Sequence, residues 1–228
     1  MIAVGFIKIS YAGPYFKQDI IDKVRKRTIP IIIYEIDKKK KFPVVIINHG
    51  YTVRYSEYSF LANALNQQGY NVVSIQHDNS NDPPLTKVGT VFNRRKPMWE
   101  RGVHNILFVI SELEKIKPHF NLNKIILIGH SNGGDISMMF LDKHPKIVQA
   151  VISLDSLRYP FPINNGVKIL SLRAKDTIAD PGVIPERGIE LINISNSKHM
   201  DFCDRGDPLI KQEILKSISQ FLKIKVRS

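Results

Sequence analysis

A strand-like run and a helical pattern flank a serine near the middle of the chain. Residues 125–128 are Ile-Ile-Leu-Ile, residues 129–133 are Gly-His-Ser-Asn-Gly, and a helical pattern begins at Asn132. A serine in this setting lies on a tight strand-to-helix turn, where small neighbours let the backbone fold back and the hydroxyl stays exposed. The N-terminus of the helix favours negative charge that develops there during a reaction. We therefore predict that Ser131 is a nucleophile.

A second motif follows an earlier strand-like run. Residues 44–48 are Val-Val-Ile-Ile-Asn, and His49, Gly50 and Tyr51 come directly after them. Acyl transfer needs two fixed N–H donors for the oxyanion, one from the residue after the nucleophile and one from the loop after an earlier strand. We expect the backbone N–H groups of Asn132 and Tyr51 to take these positions, and we interpret His49 as a structural loop residue.

The general base is expected late in the chain. When a serine nucleophile occupies such a turn, the usual order along the chain is serine, acid, histidine. His199 fits this order, because it follows the apolar run at 190–194 and precedes the closing helical pattern. No third and fourth side chain at metal-ligand spacing accompanies it. The sequence therefore predicts His199 as the base, no metal and no cofactor.

Two aspartates compete for the role of the acid that orients this histidine. Asp155 ends the apolar run 150–154, and Asp176 follows the next run, 168–172. Neighbouring strands of a sheet lie only about 5 Å apart, so either carboxylate could reach the imidazole. We favour Asp176, because it follows the later strand, and we keep Asp155 as the alternative. Asp180 ranks third.

Apolar, β-rich runs alternate with helical patterns, which indicates parallel strands joined by helical crossovers. We predict an α/β fold with a mostly parallel central sheet, helices on both faces and no large cap, all within one domain of residues 1–228. An antiparallel strand is expected at Ile29–Tyr34, with a polar turn at 38–41 after it. The predicted parallel strands are 44–48, 71–76, 124–128, 150–154, 168–172 and 190–194, and the predicted helices are 56–68, 98–117, 132–143 and 208–223.

The substrate region is predicted less sharply than the catalytic residues. Only about a dozen residues separate Asp155 from the strand at 168, too few for a helical cap, so we expect an open site. Residues 78–97 are interpreted as a long loop that shapes the substrate site, since loops of that length are usually functional or disordered. Tyr55 and Met200 are expected to add apolar walls.

Composition constrains the class of protein further. The chain has 228 residues, 43% hydrophobic and 24% charged, as in ordinary globular proteins. Its single cysteine excludes an intrachain disulfide, and its N-terminus lacks the pattern of a signal peptide, so we expect a cytoplasmic protein. The net charge of +12 comes from scattered lysines. We predict a small-molecule partner, with neither nucleic-acid binding nor stable membrane insertion, and the sequence leaves the oligomeric state open.

These motifs together resemble the α/β-hydrolase superfamily from His49 to the closing helix. The sequence at 129–134 is similar to the nucleophile turn of dienelactone hydrolase-like and cutinase-like esterases, and residues 176–179 are similar to the acid loop of the cutinase-like group. By contrast, Leu154-Asp155 and the sequence at 199–201 resemble chlorophyllases and platelet-activating-factor acetylhydrolases, which supports Asp155 as the acid. The resemblance implies a serine hydrolase but not one substrate class.

Three functional hypotheses follow. The first is hydrolysis of carboxylic esters through an acyl-enzyme on Ser131. The second is a thioesterase or an amidase or peptidase, because the same triad cleaves those bonds. The third is a binding protein that keeps the fold without activity, since a fold alone does not establish a reaction.

Overall fold

The computed structural model describes residues 15–36, 41–163 and 166–223. The N-terminal segment and most of the predicted polar turn at 38–41 lie outside these ranges. Eight strands form one sheet in the order β1-β2-β4-β3-β5-β6-β7-β8. Strands β3 to β8 are parallel to one another, whereas β2 is antiparallel to both β1 and β4. The strands are β1 Tyr15–Asp22, β2 Arg27–Tyr34, β3 Phe42–Asn48, β4 Asn71–Ile75, β5 Phe120–His130, β6 Val148–Leu154, β7 Lys168–Arg173 and β8 Glu190–Asn193.

Helices cover both faces of this sheet. Because successive strand residues point to opposite faces, Val44 and Ile46 pack into one apolar core, and Val45 and Ile47 pack into another. The first core lies under α2 and α3, and the second lies under α1 and α4. The mostly parallel, doubly covered sheet predicted from the sequence is therefore confirmed. The helices are α1 Ser59–Gln67, α2 Val91–Ile116, α3 Asn132–Lys143 and α4 Pro208–Phe221.

The register of the central strands brings their carboxyl ends to one level. Asn48 of β3 pairs with Gly129 of β5, which in turn pairs with Ser153 of β6. Leu154 of β6 pairs with Leu172 of β7. The loops that follow these strands therefore meet at one edge of the sheet, which is where ligands bind in open α/β folds.

Two elements differ from the sequence prediction. Strand β1 was not predicted, because most of its residues are exposed and its apolar residues do not alternate regularly. Helix α2 begins at Val91 rather than at Met98, so the predicted loop at 78–97 ends at Thr90. The Thr90 side chain caps this helix by accepting a hydrogen bond from the backbone N–H of Asn93 at 3.2 Å. Pro97, which suggested a loop, lies inside the helix.

The N-terminus of α1 is capped by a residue that lies far along the chain. The backbone N–H groups of Ser59 and Phe60 donate to the Asp204 carboxylate at 2.9 and 3.0 Å. The Asp204 backbone N–H donates in turn to the carbonyl of Glu57 at 2.8 Å. These bonds tie the start of α1 to the loop that carries His199.

Candidate active site

Ser131 occupies a sharp turn between β5 and α3. Its backbone has φ 52° and ψ −120°, in the left-handed range that residues other than glycine seldom adopt. Its N–H donates to the carbonyl of Leu154 at 2.9 Å, which fixes the turn against β6. A Cβ atom on Gly129 would overlap the Gly133 carbonyl, and a Cβ on Gly133 would overlap the Asn48 carbonyl. Glycine is therefore required on both sides of the serine.

His199 and Asp155 form a hydrogen-bonded pair. The Nδ1 atom of His199 lies 2.6 Å from Oδ2 of Asp155, whose side chain is fully buried. The same carboxylate accepts hydrogen bonds from the Thr177 hydroxyl at 2.5 Å and from the Ala174 backbone N–H at 3.1 Å, and Arg173 Nη2 lies 3.0 Å from its Oδ1. The carboxylate therefore has a complete set of donors around it.

The pKa of Asp155 reflects two opposed effects. Burial raises the pKa of this carboxyl group. The hydrogen bond from His199, the charge of Arg173 and the hydrogen bond from Thr177 lower it, and together they hold the pKa below its ordinary value. Asp155 is therefore an anion beside the imidazole at neutral pH, and it favours the tautomer with a proton on Nδ1.

Asp176, the favoured acid of the sequence analysis, is not hydrogen-bonded to the imidazole. Asp176 Oδ1 accepts a hydrogen bond from the backbone N–H of His199 at 2.7 Å, not from its ring. Asp176 therefore positions the loop that carries the histidine, and Asp155, the alternative, is the carboxylate that contacts the ring. Asp180 pairs with Arg158 instead.

Ser131 and His199 line one cleft of about 290 Å³, together with Tyr51 and Asn132. No hydrogen bond joins the Ser131 hydroxyl to the imidazole within the described residues, and such bonds often tighten only when substrate binds. The backbone N–H groups of Tyr51 and Asn132 likewise have no hydrogen-bond partner in the described part of the chain. The structure thus brings these four predicted site residues, and Met200 with them, to one cleft.

Met200 and Tyr55, the two residues predicted to form apolar walls, lie in different places. Met200 lines the cleft and is 37% exposed, so it is accessible to a ligand. Tyr55 instead lines a separate, open and highly charged groove with Arg54 and Gln76, and it is not among the residues that line this cleft. Its carbonyl accepts a hydrogen bond from Ser74 on β4, which draws the residue towards that strand.

A supporting contact behind the cleft was missed from the sequence. The buried indole of Trp99 donates through Nε1 to Oδ1 of Asn132 at 2.9 Å, which fixes the residue directly after Ser131. Trp99 is the only tryptophan of the chain. Its place on α2 could be found from the sequence, but its hydrogen bond depends on how α2 packs against α3.

A chain of hydrogen bonds connects the loop after β3 to the loop of His199. The Gly50 N–H donates to the Tyr58 hydroxyl at 2.8 Å, so that hydroxyl can donate its own proton to Nδ1 of His130 at 2.9 Å. The Nε2 atom of His130 then donates to the His199 carbonyl at 3.0 Å. This arrangement requires a neutral His130. Burial, and after it the charge of His199, lower the pKa of His130 to about 3.

His130 should make the protein less stable in acid. An unfolded histidine has a pKa of about 6.5, so between the two pKa values the unfolded state binds the additional proton. Stability from this group is therefore present above the unfolded pKa and is lost as the pH falls. Lowering the pH from about 7.5 to about 5 should reduce the free energy of unfolding by about 2 kcal/mol through His130 alone.

Urea unfolding of the wild type and of His130→Gln at both pH values measures this effect. Other titrating groups are common to the two proteins, so the difference between their pH dependences isolates His130. An equal loss of stability in the two proteins would contradict a neutral, buried imidazole at this position.

The structure also bears on metals and membranes. Within the described ranges, no cluster of three or more histidine, cysteine or acidic side chains could hold a metal ion. None of the described helices is long and apolar enough to cross a bilayer. The single-domain organisation, the cytoplasmic location and the lack of a nucleic-acid partner stay predictions.

Comparison with protein families agrees with this architecture. A family model described as the alpha/beta hydrolase fold matches residues 43–173, which is more than half of the chain. The chain belongs to the α/β-hydrolase fold family.

Individual relatives are distant. A Haemophilus influenzae protein, whose name provisionally assigns it as an esterase or lipase, is 24% identical over 157 residues. That match covers 68% of this chain and 49% of the relative, so the chain spans about half the length of the curated relative it matches. The name of that relative therefore does not establish an activity for this chain.

Solved structures share the fold at low identity. A ferulic acid esterase from Streptomyces cinnamoneus has a TM-score of 0.69 and 14% identity, with 95% of this chain and 93% of that chain covered. A dienelactone hydrolase from Anabaena variabilis has a TM-score of 0.61 and 15% identity, with 91% and 97% covered. At this level of identity the similarity concerns the fold alone.

Proposed function

We propose that the protein is a serine hydrolase that cleaves carboxylic esters, with Ser131, His199 and Asp155 as its triad. One observation carries the proposal. A buried, ionised carboxylate holds Nδ1 of His199, and this histidine shares a cleft with a serine on a strained turn. A third group that orients the base of a nucleophile is the geometric signature of covalent catalysis by serine.

The reaction proceeds in two halves. His199 takes the proton of the Ser131 hydroxyl through Nε2, and Oγ forms a bond to the acyl carbon. The carbonyl oxygen becomes an oxyanion, which the N–H groups of Tyr51 and Asn132 stabilise. The bond to the alcohol then breaks, and the alcohol leaves with the proton from His199. Water, deprotonated by His199, attacks the acyl-enzyme, and the acid and the free serine are released.

Esters are the favoured substrate class for two reasons. Relatives of the same fold are named as esterases, among them the ferulic acid esterase. In addition, the described chain between Asp155 and Lys168 forms no helix over the cleft, so the site is accessible to small molecules. Thioesters and amides would use the same groups, and they remain the alternative substrates.

A fluorophosphonate probe tests the activated serine directly. We expect the folded protein to react at a single site and peptide mass spectrometry to place the adduct on Ser131. Protein unfolded in urea before exposure is the control, because an isolated serine hydroxyl does not react at a comparable rate. Hydrolysis of p-nitrophenyl esters of increasing acyl length should accompany the labelling and measure the size of the acyl site.

Two results would contradict the proposal. Labelling at another residue would exclude Ser131 as the activated nucleophile. A folded protein that neither reacts with the probe nor hydrolyses any ester would favour a binding protein that keeps the fold without its activity.

A further inference from the structure

An arginine faces the proposed catalytic cleft from α2. Arg95 lines the cleft with Ser131 and Tyr51, and its guanidinium carbon lies 4.2 Å from the centre of the Tyr51 ring. Stacking on this ring restricts where the guanidinium can lie. Tyr51, whose N–H is expected to hold the oxyanion, thus also supports the Arg95 guanidinium beside the cleft.

Among the described residues, no carboxylate forms an ion pair with this guanidinium. In the described part of the chain, Arg95 forms neither an ion pair nor a hydrogen bond. Arg158, the other arginine of the cleft, is already paired with Asp180 through Nη1, with both distances at 3.0 Å. The donors of Arg95 are therefore free, whereas the charge of Arg158 is largely balanced.

Asp135 is the remaining acidic side chain in the cleft. Its Oδ1 atom accepts the backbone N–H groups of Arg158 and Tyr159, each at 3.0 Å. Burial, against these hydrogen bonds, raises the pKa of Asp135 to about 6. The carboxylate of Asp135 is thus hydrogen-bonded to the backbone. Its charge raises the pKa of Arg95, but the two side chains form no ion pair.

The environment of Arg95 makes an unpaired charge costly. Burial lowers the pKa of the guanidinium, which nevertheless stays protonated in any protein. The charges of Asp135 and Asp78 offset part of this effect, but a partly buried cation without a directly bonded anion loses hydration and gains no compensating hydrogen bond. A bound anion would remove this penalty, and the planar fork of arginine donors fits a carboxylate in a bidentate manner.

We propose that Arg95 binds a carboxylate of the substrate, so that the preferred esters are anionic. The inference rests on the proposed ester hydrolysis and adds the substrate class. The carboxylate belongs either to the acyl part or to the alcohol part of the ester. In both cases Arg95 determines specificity and takes no part in bond cleavage.

Matched pairs of esters distinguish whether the carboxylate belongs to the acyl part or to the alcohol part. For the acyl part, p-nitrophenyl hydrogen glutarate is compared with p-nitrophenyl pentanoate, which replaces the carboxylate by a methyl group. For the alcohol part, para-acetoxybenzoate is compared with para-acetoxytoluene. We expect kcat/KM to favour the anionic member of one pair by about tenfold or more, as for a charged hydrogen bond in a partly buried site.

Arg95→Met keeps the aliphatic stem on Tyr51 and removes the charge. It should bring the anionic-to-neutral ratio of kcat/KM close to one, and Arg95→Lys should restore part of the preference. Arg94→Met is the matched control, because it removes the same charge from the neighbouring position, which does not line the cleft. Its ratio should stay at the wild-type value. A wild-type ratio near one in both pairs, or an equal change in both variants, would overturn the inference.

A binding measurement keeps this test independent of turnover. Ligand-observed NMR on Ser131→Ala measures the affinities. If the carboxylate belongs to the acyl part, monomethyl glutarate should bind about tenfold more tightly than methyl pentanoate. If it belongs to the alcohol part, para-hydroxybenzoate should bind more tightly than methyl para-hydroxybenzoate. Adding Arg95→Met should abolish the difference. Equal affinities for both pairs would overturn the anion site, whereas failed labelling of the wild-type serine would overturn the proposed reaction.

Discussion

Asp155→Asn is expected to lower kcat/KM for p-nitrophenyl esters about 10³- to 10⁴-fold, whereas Asp176→Asn should lower it less than about tenfold. Asp155 holds Nδ1 of His199 at 2.6 Å. An asparagine there removes the negative charge that stabilises the imidazolium, and its amide group favours the wrong tautomer of the ring. The side chain of Asp176 accepts a hydrogen bond from the backbone of His199 rather than from its ring, so its loss should loosen the loop without changing the protonation of the ring.

Steady-state kinetics on the two purified variants make this comparison, with thermal unfolding as a check that both are folded. The Arg173 guanidinium also faces Asp155, so Asp155→Asn should reduce stability as well. The kinetic measurement is therefore made well below the unfolding temperature. A larger loss of activity in Asp176→Asn than in Asp155→Asn would reverse the assignment of the acid.

Gly133→Ala is expected to reduce the free energy of unfolding by about 3 kcal/mol or more, or to prevent folding. The new Cβ atom would overlap the carbonyl groups of Asn48 and His49, which belong to the end of β3 and the loop after it. These are backbone atoms in a close-packed region, so they cannot move aside without shifting the loop of Tyr51. The turn at Ser131 would be displaced by the same change.

Gly102→Ala supplies the matched control, because Gly102 also lies in a helix and also lacks room for a Cβ. Its Cβ would lie 2.6 to 2.8 Å from three side-chain atoms of Ile136. Ile136 is buried and branched at Cβ, so a change of rotamer does not clear the contact. A side chain still gives way more readily than backbone carbonyl groups, and alanine has the better helix propensity, so the loss should be smaller, about 1 to 2 kcal/mol. Urea unfolding of both variants measures the difference. Equal losses would show that the turn tolerates a backbone shift.

The sequence predicted the sheet and the strand-to-helix turn at Ser131 well because both depend on local patterns. The continuous apolar runs of the parallel strands and the small residues around Ser131 are visible without any tertiary information. Helix α2 was predicted too short for a local reason as well. Pro97 and the preceding polar residues suggested a loop, but Thr90 caps a helix that accommodates the proline in its second turn.

The choice between Asp155 and Asp176 could not be made in this way. Both follow adjacent strands, and both contact His199 in the structure, one through the ring and one through the backbone. Asp155 has a positive φ of 58°, and this turn directs its side chain into a pocket completed by Arg173 and Thr177. No local pattern encodes that arrangement, because it depends on how two neighbouring loops meet.

The long-range cap on α1 has a consequence for the growing polypeptide on the ribosome. The segments with Tyr51, Tyr58 and Ser131 are synthesised before Asp204, and α1 has no cap from its own N-cap side chain. Contacts between residues so far apart in sequence form late, because closing the intervening chain costs entropy. A nascent chain that stops short of Asp204 therefore contains Ser131 without the loop of His199 docked on α1. The proposed site would then be completed in a single late step, when the segment with His199 and Asp204 has left the ribosome and docks on α1.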